Sequence, residues 1–307
     1  MTRAIVARLD NDGDVLLAGP AIRAVAAGAD EVTLLCGPRG EQAARLLPGV
    51  DRVVVRRAEW IDQAPPAVDR AAIDAYVDAI AALQADVAVV LTSWHQNALP
   101  MALLLRMAGV ARIGAISEDY PGSLLDARVR DPGDIPEPRR MLAVARAMGF
   151  DLPAGDDGRL RVAEVQAPPV ALPERFVVVH PGASVPERAW PAEHHAEVVR
   201  MLADAGREVV VTGAPGEVAL TAAVAGGRAL DLGGATTLAQ LAGVIARADA
   251  LVVGNTGPAH VAAAVGTPVV SLFAPTVPPE RWAPYRVRRT LLGIDAAPRD
   301  VVEAVAA

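Results

Sequence analysis

The 307-residue sequence predicts an α/β protein made of two doubly wound domains that face each other across a cleft at the C-terminal edges of their sheets. Three observations lead there. Short apolar runs alternate with Ala-rich segments of helical length. The alternation stops mid-chain in a stretch of Pro, Gly and acidic residues, then restarts. The 52% apolar content carries only 3% aromatic residues, so the core is built from small and branched aliphatics suited to helices packed on sheet. Parallel strands need crossovers, and strands separated by helices therefore imply parallel sheets covered on both faces.

In chain order, residues 4–9, 31–36, 52–55, 87–92 and 112–116 read as strands. Helical segments run from about Val15, over 71–84 and over 99–108. The pattern breaks at 131–138 and again at 151–173, with a helix over 139–148 between, and this region reads as the interdomain connection. The alternation resumes with a strand at 176–180 and a helix that puts Val198, Val199 and Leu202 on one face before Gly206 ends it. A strand at 208–212 follows, then a helix whose Thr237 and Gln240 have capping-box spacing and whose Leu238, Leu241 and Ile245 form the apolar stripe. Residues 250–253, 258–265 and 269–273 read as strand, helix and strand. The domains are expected at 1–165 and 172–285, with a tail at 286–307 packing back on the N-terminal domain.

All 29 basic residues are arginine, and the formal charge of −7 gives no basic run along which a nucleic acid could be tracked. One cysteine excludes an intrachain disulfide and a Cys-rich zinc site. No apolar run approaches the ~20 residues needed to span a bilayer, and no leader is evident at the N-terminus. A cytoplasmic protein is expected, with peripheral membrane contact left open.

Three segments carry candidate chemistry. In Gly254-Asn255-Thr256-Gly257-Pro258-Ala259-His260 a strand ends in a polar turn that opens into a helix, with Pro258 suited to the first helical position. The free N–H groups and dipole of such a helix start bind phosphate, helped by the Thr256 hydroxyl; a well-capped helix with a tight turn at Gly257 is the plainer reading. His260 either donates to a phosphate or packs. The loop 180–191 offers Ser184, a close-approach glycine at Gly182 and the forked guanidinium of Arg188, or else is a surface loop pinned by Trp190. In the loop 8–15, Asp12-Gly13-Asp14 matches a metal-holding Asp-x-Asp pattern, but a turn of Asp, Asn and Gly explains itself. A lone carboxylate at a helix start suits a general base, and Asp14 is the best placed. His194 and His195 lack a second ligand pair and read as a solvated face. His95 follows a strand, as do Trp94, Gln96 and Glu118, where side chains reach a sheet edge.

Together these segments resemble family 9 glycosyltransferases, the heptosyltransferase-like group. The resemblance rests on Gly13-Asp14-Val15, Trp190-Pro191, Thr212-Gly213-Ala214-Pro215-Gly216-Glu217, and Asn255 to His260 through Gly266-Thr267-Pro268 to Phe273-Ala274-Pro275-Thr276. It implies a GT-B fold of two Rossmann-like domains. It also implies a metal-independent, inverting glycosyltransferase with no cofactor that moves a sugar, a heptose, from a nucleoside-diphosphate donor, ADP, to a glycan or natural-product hydroxyl. By position, Asp14 is the base that deprotonates the acceptor. Ser184, Arg188, Glu217, Asn255, Thr256, Gly257, Pro258 and His260 hold the donor, with Arg188 where the family usually has lysine and Glu217 near the nucleoside. Asn255 stands where the best-known members carry Asp, and an amide offers donor hydroxyls a different hydrogen-bond pattern from a carboxylate. Trp94, His95, Gln96 and Glu118 are the expected acceptor contacts. Two other readings share the architecture: a nucleotide-sugar epimerase, which turns over donor without acceptor, and a two-domain sugar-binding protein, which a phosphate-type turn disfavours.

Overall fold

The computed structural model describes every residue except Gln63, Ser184 and Ala307. Its chain divides into two compact units, Met1–Arg159 and Leu160–Ala307. The first contains β1 (Arg3–Arg8), α1 (Asp12–Leu17), α2 (Gly19–Gly28), β2 (Glu31–Cys36), α3 (Glu41–Ala44), β3 (Arg52–Val55), α4 (Arg70–Ala81), β4 (Val87–Val90), α5 (Leu99–Met107), β5 (Arg112–Ile116), β6 (Ala127–Val129) and α6 (Glu137–Ala147). Its sheet has the order β3-β2-β1-β4-β5-β6, and all its ladders are parallel. The central strands are buried on both faces, and for this reason they read as unbroken apolar runs.

The second unit repeats the scheme with β7 (Phe176–His180), α7 (Ala192–Asp204), β8 (Glu208–Gly213), α8 (Val218–Ala225), β9 (Leu230–Gly233), α9 (Leu238–Ala246), β10 (Ala250–Gly254), α10 (Gly257–Val265), β11 (Val269–Phe273), α11 (Pro279–Trp282), β12 (Arg289–Gly293) and α12 (Pro298–Ala306). The order β12-β11-β10-β7-β8-β9 is the same topology as the first sheet. In each sheet the strand order reverses once, between β1 and β4 and between β7 and β10. Open α/β sheets bind ligands outside the C-terminal ends of the strands at such a reversal.

Side-chain chemistry sets several boundaries. Thr237 and Gln240 form the expected reciprocal cap of α9, Thr237 Oγ1 accepting from Gln240 N and Gln240 Oε1 from Thr237 N. The last turn of α10 closes at Gly266, in the left-handed region with φ of 86°, where a side chain would be strained. Arg23 on α2 ends the first unit: its Nε and Nη2 bind Asp156 at 2.6 and 3.0 Å, and Nη2 also binds the Arg159 carbonyl. From Leu160 the chain belongs to the second unit, where Gln166 N donates to the Ala239 carbonyl and the absence of a side chain at Gly243 makes room for the Gln166 backbone.

The tail belongs to the second unit, where residues 289–293 pair with β11 as the edge strand of the second sheet. Helix α12 lies against α7 and buries Val301 in the second core. The physical cause is the unpaired edge of β11 and the apolar stripe Val301, Val302 and Val305, which needs a partner close at hand.

Candidate active site

In the first unit the reversal between β1 and β4 gathers a closed set of polar side chains. Arg8, the last residue of β1, is fully buried. Its Nη2 donates to Asp14 Oδ1 at 3.1 Å and to Ser93 Oγ at 2.9 Å, and its Nε lies 3.2 Å from Asp10 Oδ2. Gln96 Nε2 donates to the other oxygen of Asp10, while Gln96 Oε1 accepts from Ser93 N. Burial works against the Arg8 charge, but Asp10, Asp14 and Glu137 outweigh it and hold the guanidinium protonated. Asp14 occupies the third position of α1 and keeps about a fifth of its side chain exposed. Burial, seconded by Asp10 and Glu137, lifts its carboxyl above the usual range to about 6 against the pull of Arg8. Such a group is ionised at neutral pH yet is a stronger base than an ordinary aspartate.

Asp12 and Asp14 do not act together. Asp12 Oδ1 accepts from Ala43 N of α3 at 2.9 Å, and burial raises its carboxyl to about 6. No three His, Cys, Asp or Glu side chains converge as a metal-ligand set among the described residues.

Of the expected acceptor contacts, Trp94 and His95 are exposed on the loop after β4, their rings 5.7 Å apart edge-to-face. Gln96 has both ends committed, to Asp10 and to Ser93. Glu118 lies after β5, one strand beyond the reversal. Its carboxylate accepts from Asp131 N at 2.8 Å and pairs with Arg130 at 3.3 Å, closing one loop on another.

In the second unit, β10 ends at the turn Asn255-Thr256 and α10 begins at Gly257, with Pro258 in its first turn. The Thr256 side chain does not cap the helix. Thr256 Oγ1 and His260 Nδ1 are both buried atoms with no hydrogen-bond partner among the described residues. Burial lowers His260 to about 4, so the imidazole is neutral at pH 7. Asn255 Nδ2 donates to the Trp282 carbonyl on α11 at 3.2 Å. Arg188, exposed in a single 3-10 turn over Pro186–Arg188, rides on a loop that crosses the end of β10: a Cβ built on Gly254 would lie 3.9 Å from the Arg188 carbonyl oxygen. Ser184, on the same loop, lies outside the described residues.

Glu217 comes from the loop after β8. Its Oε2 accepts from Ala214 N at 2.7 Å and lies 3.9 Å from His180 Nε2. A Cβ on Gly182 would fall on this carboxyl group, so the glycine makes its seat. His180 ends β7, and its Nδ1 lies 3.0 Å from Thr212 Oγ1; burial lowers it to about 4. His180 was not among the expected site residues, although it is the one titratable side chain closing an apolar strand that leads into the Arg188 loop. Arg8 and Asp10 carry the same signal at the end of β1.

The pair His194-His195 is not a solvated face. His195 is buried, its ring 4.9 Å from that of Trp190 and edge-on to it, and His194 meets the same indole at 5.1 Å. Trp190 itself is in the core, and an aromatic anchor at the start of α7 draws both imidazoles inward.

A sequence model of glycosyltransferase family 9 (heptosyltransferase) matches residues 77–303, most of the chain. The chain belongs to this family. Lipopolysaccharide heptosyltransferase 2 of Escherichia coli is 30% identical over 212 residues, and the matched stretch spans 59% of this chain and 59% of that relative's length. A family 9 glycosyltransferase from Veillonella parvula superposes with a TM-score of 0.81 over 99% of this chain and 96% of its own, at 17% identity. The Escherichia coli ADP-heptose lipopolysaccharide heptosyltransferase II superposes with a TM-score of 0.79 over 100% and 98%, at 21% identity. These likenesses establish the GT-B fold of two Rossmann-like domains. The family 9 match takes in Arg188, Glu217 and the Asn255–His260 turn but starts after Asp14, so Asp14 stands on its place in the fold and on its own surroundings.

Proposed function

We propose that this family 9 protein is a metal-independent, inverting glycosyltransferase that moves a heptose from ADP-heptose to a hydroxyl of a glycan or natural-product acceptor. The observation that carries the reading is the start of α10, where Thr256 Oγ1 and His260 Nδ1 are buried without partners beside a helix N-terminus. Buried polar atoms are ordinarily satisfied, and a diphosphate satisfies both while meeting the helix dipole. The exposed Arg188 adds a forked cation on the neighbouring loop, and Glu217, seated against Gly182, offers a carboxylate to the ribose hydroxyls. The nucleotide and sugar are taken from the similar Escherichia coli ADP-heptose lipopolysaccharide heptosyltransferase II.

In the proposed reaction the acceptor oxygen gives its proton to Asp14 and attacks the anomeric carbon, while the bond to the nucleoside diphosphate breaks on the opposite face. The leaving group takes the electron pair. Its growing charge is met by the α10 N-terminus, Thr256 and Arg188, fixed donors that supply the stabilisation a metal supplies elsewhere. Trp94 and His95 are the acceptor contacts in this reading, and the protein acts in the cytoplasm.

The test is a thermal-shift panel of nucleoside diphosphates, followed by mass spectrometry with ADP-heptose, with and without candidate acceptors. The proposal expects stabilisation by ADP and product only when acceptor is present. Turnover of the donor alone indicates an epimerase, and no response to any nucleotide removes the donor site.

A further inference from the structure

The first unit holds more acid around Arg8 than an ion pair needs. Arg8 is wholly buried, and one carboxylate would balance it. Two approach it: Asp14 at 3.1 Å through Nη2 and Asp10 at 3.2 Å through Nε. Asp10 is itself almost fully buried, with Oδ2 facing the guanidinium outside hydrogen-bonding geometry. It is held there from the other side, because Gln96 donates to its second oxygen and is in turn fixed by the backbone N–H of Ser93, whose hydroxyl accepts from Arg8. The ring Arg8–Ser93–Gln96–Asp10 closes on itself and leaves Asp14 attached at one corner, with the only partly exposed carboxylate of the set.

We propose that Asp10 is a positioning residue for the base: by sharing the buried Arg8 guanidinium, it keeps Asp14 basic enough to accept a proton from an acceptor hydroxyl. This rests on the reading of Asp14 as that base. A lone Asp–Arg pair at this distance depresses the carboxyl by 1–3 units, to roughly the strength of a poor base. Burial of Asp14 offsets this first, and Asp10 then divides the guanidinium's charge and adds repulsion of its own. The groups facing Asp14 are Arg8 from β1, Asp10 from the following loop and Glu137 from α6. Glu137 has a counter-charge in Arg140, 3.4 Å away on the same helix, and Asp12 on α1 is turned to Ala43. Among the described residues Asp10 is therefore the carboxylate that, beside Asp14, closes to within 3.2 Å of Arg8, and its removal alters the Arg8–Asp14 pair directly. The same geometry removes Gln96 from acceptor binding and makes it the tether of Asp10.

The experiment is a carboxyl-carbon NMR titration of the full-length protein, with the Asp14 signal assigned by Asp14→Asn. In the wild type the Asp14 midpoint is expected near 6, above the ordinary aspartate range. In Asp10→Asn the Asp14 midpoint is expected to fall by about one pH unit or more. A midpoint that stays in place, in a variant whose other aspartate signals are unchanged, overturns the proposal. If Asp10→Asn does not fold, Asp10→Ser carries the same expectation, and a wild-type Asp14 midpoint in the ordinary aspartate range overturns the proposal without any variant. The acid limb of the transfer rate should move in the same direction as the midpoint. The base reading is judged separately: full transfer by Asp14→Asn ends the role of Asp14 while the titration still reports the coupling.

Discussion

Asn255 Nδ2 donates to the backbone carbonyl of Trp282 across 3.2 Å, tying the turn that opens α10 to α11. The amide makes this bond through its nitrogen and still presents an oxygen as acceptor. A carboxylate here would face the carbonyl without a proton to share and would add a negative charge next to the start of the helix. Asn255→Asp is therefore expected to weaken ADP binding about tenfold, the scale of one hydrogen bond lost to a part-buried acceptor. Isothermal titration with ADP measures it, and equal affinity would mean that the amide is not tuned to this turn.

Asp14→Asn keeps the size of the side chain and its contact with Arg8 while removing the proton acceptor. Transfer is expected to fall by at least about 100-fold, the lower end of what a positioned base contributes. ADP affinity should be unchanged, because the proposed donor residues lie in the other unit. Single-turnover rates and a binding isotherm on the same preparation separate the two effects. A variant that loses nucleotide affinity would place Asp14 in donor binding instead.

Gly182→Ala puts a methyl group on the Glu217 carboxyl, whereas at Gly216 nothing lies within 4 Å of an added Cβ. The first substitution should displace Glu217, release Ala214 N from its cap and reduce ADP affinity several-fold, with a loss of stability of about 1 kcal/mol. The second should change neither. Equal behaviour of the two variants would show that the Glu217 seat is unimportant for the nucleotide.

The fold was legible wherever a strand was buried on both faces. The runs at 31–36, 112–116, 176–180 and 269–273 match their strands end to end, because parallel central strands are continuous in apolar residues. Of the four edge strands only the Val-rich Arg52–Val55 was legible. Ala127–Val129, Leu230–Gly233 and Arg289–Gly293 are short, interrupted by Asp or Arg and only partly buried, so neither length nor periodicity marks them. The candidate site divides in the same way. The helix start at Gly257 and the carboxylate at Asp14 follow from local sequence. The Arg8–Asp10–Gln96 ring and the Asn255–Trp282 bond join residues 86 and 27 positions apart, and periodicity carries no information about such partners. His195 misled for a related reason: beside a second histidine at a helix start it looks solvated, and only the fold shows Trp190 covering it.

Three buried histidines give the second unit a pH dependence of definite sign. Burial lowers His180 and His260 to about 4 and, with help from His180 and His194, lowers His195 to about 3. In the unfolded chain each titrates near 6.5. Between these values the unfolded state takes up protons that the folded state refuses, so stability is fully present above about pH 6.5 and declines as pH falls towards 4. By linkage each histidine accounts for roughly 2 kcal/mol between pH 7 and pH 5. Urea unfolding at the two pH values should show the loss, and His195→Leu should remove about one histidine's share of the difference. ADP should blunt it as well, since a phosphate beside His260 favours the charged imidazole and turns that residue's contribution towards binding as the pH drops. A stability difference that His195→Leu and ADP both leave untouched would place the acid sensitivity elsewhere, in the carboxylates of the ion pairs.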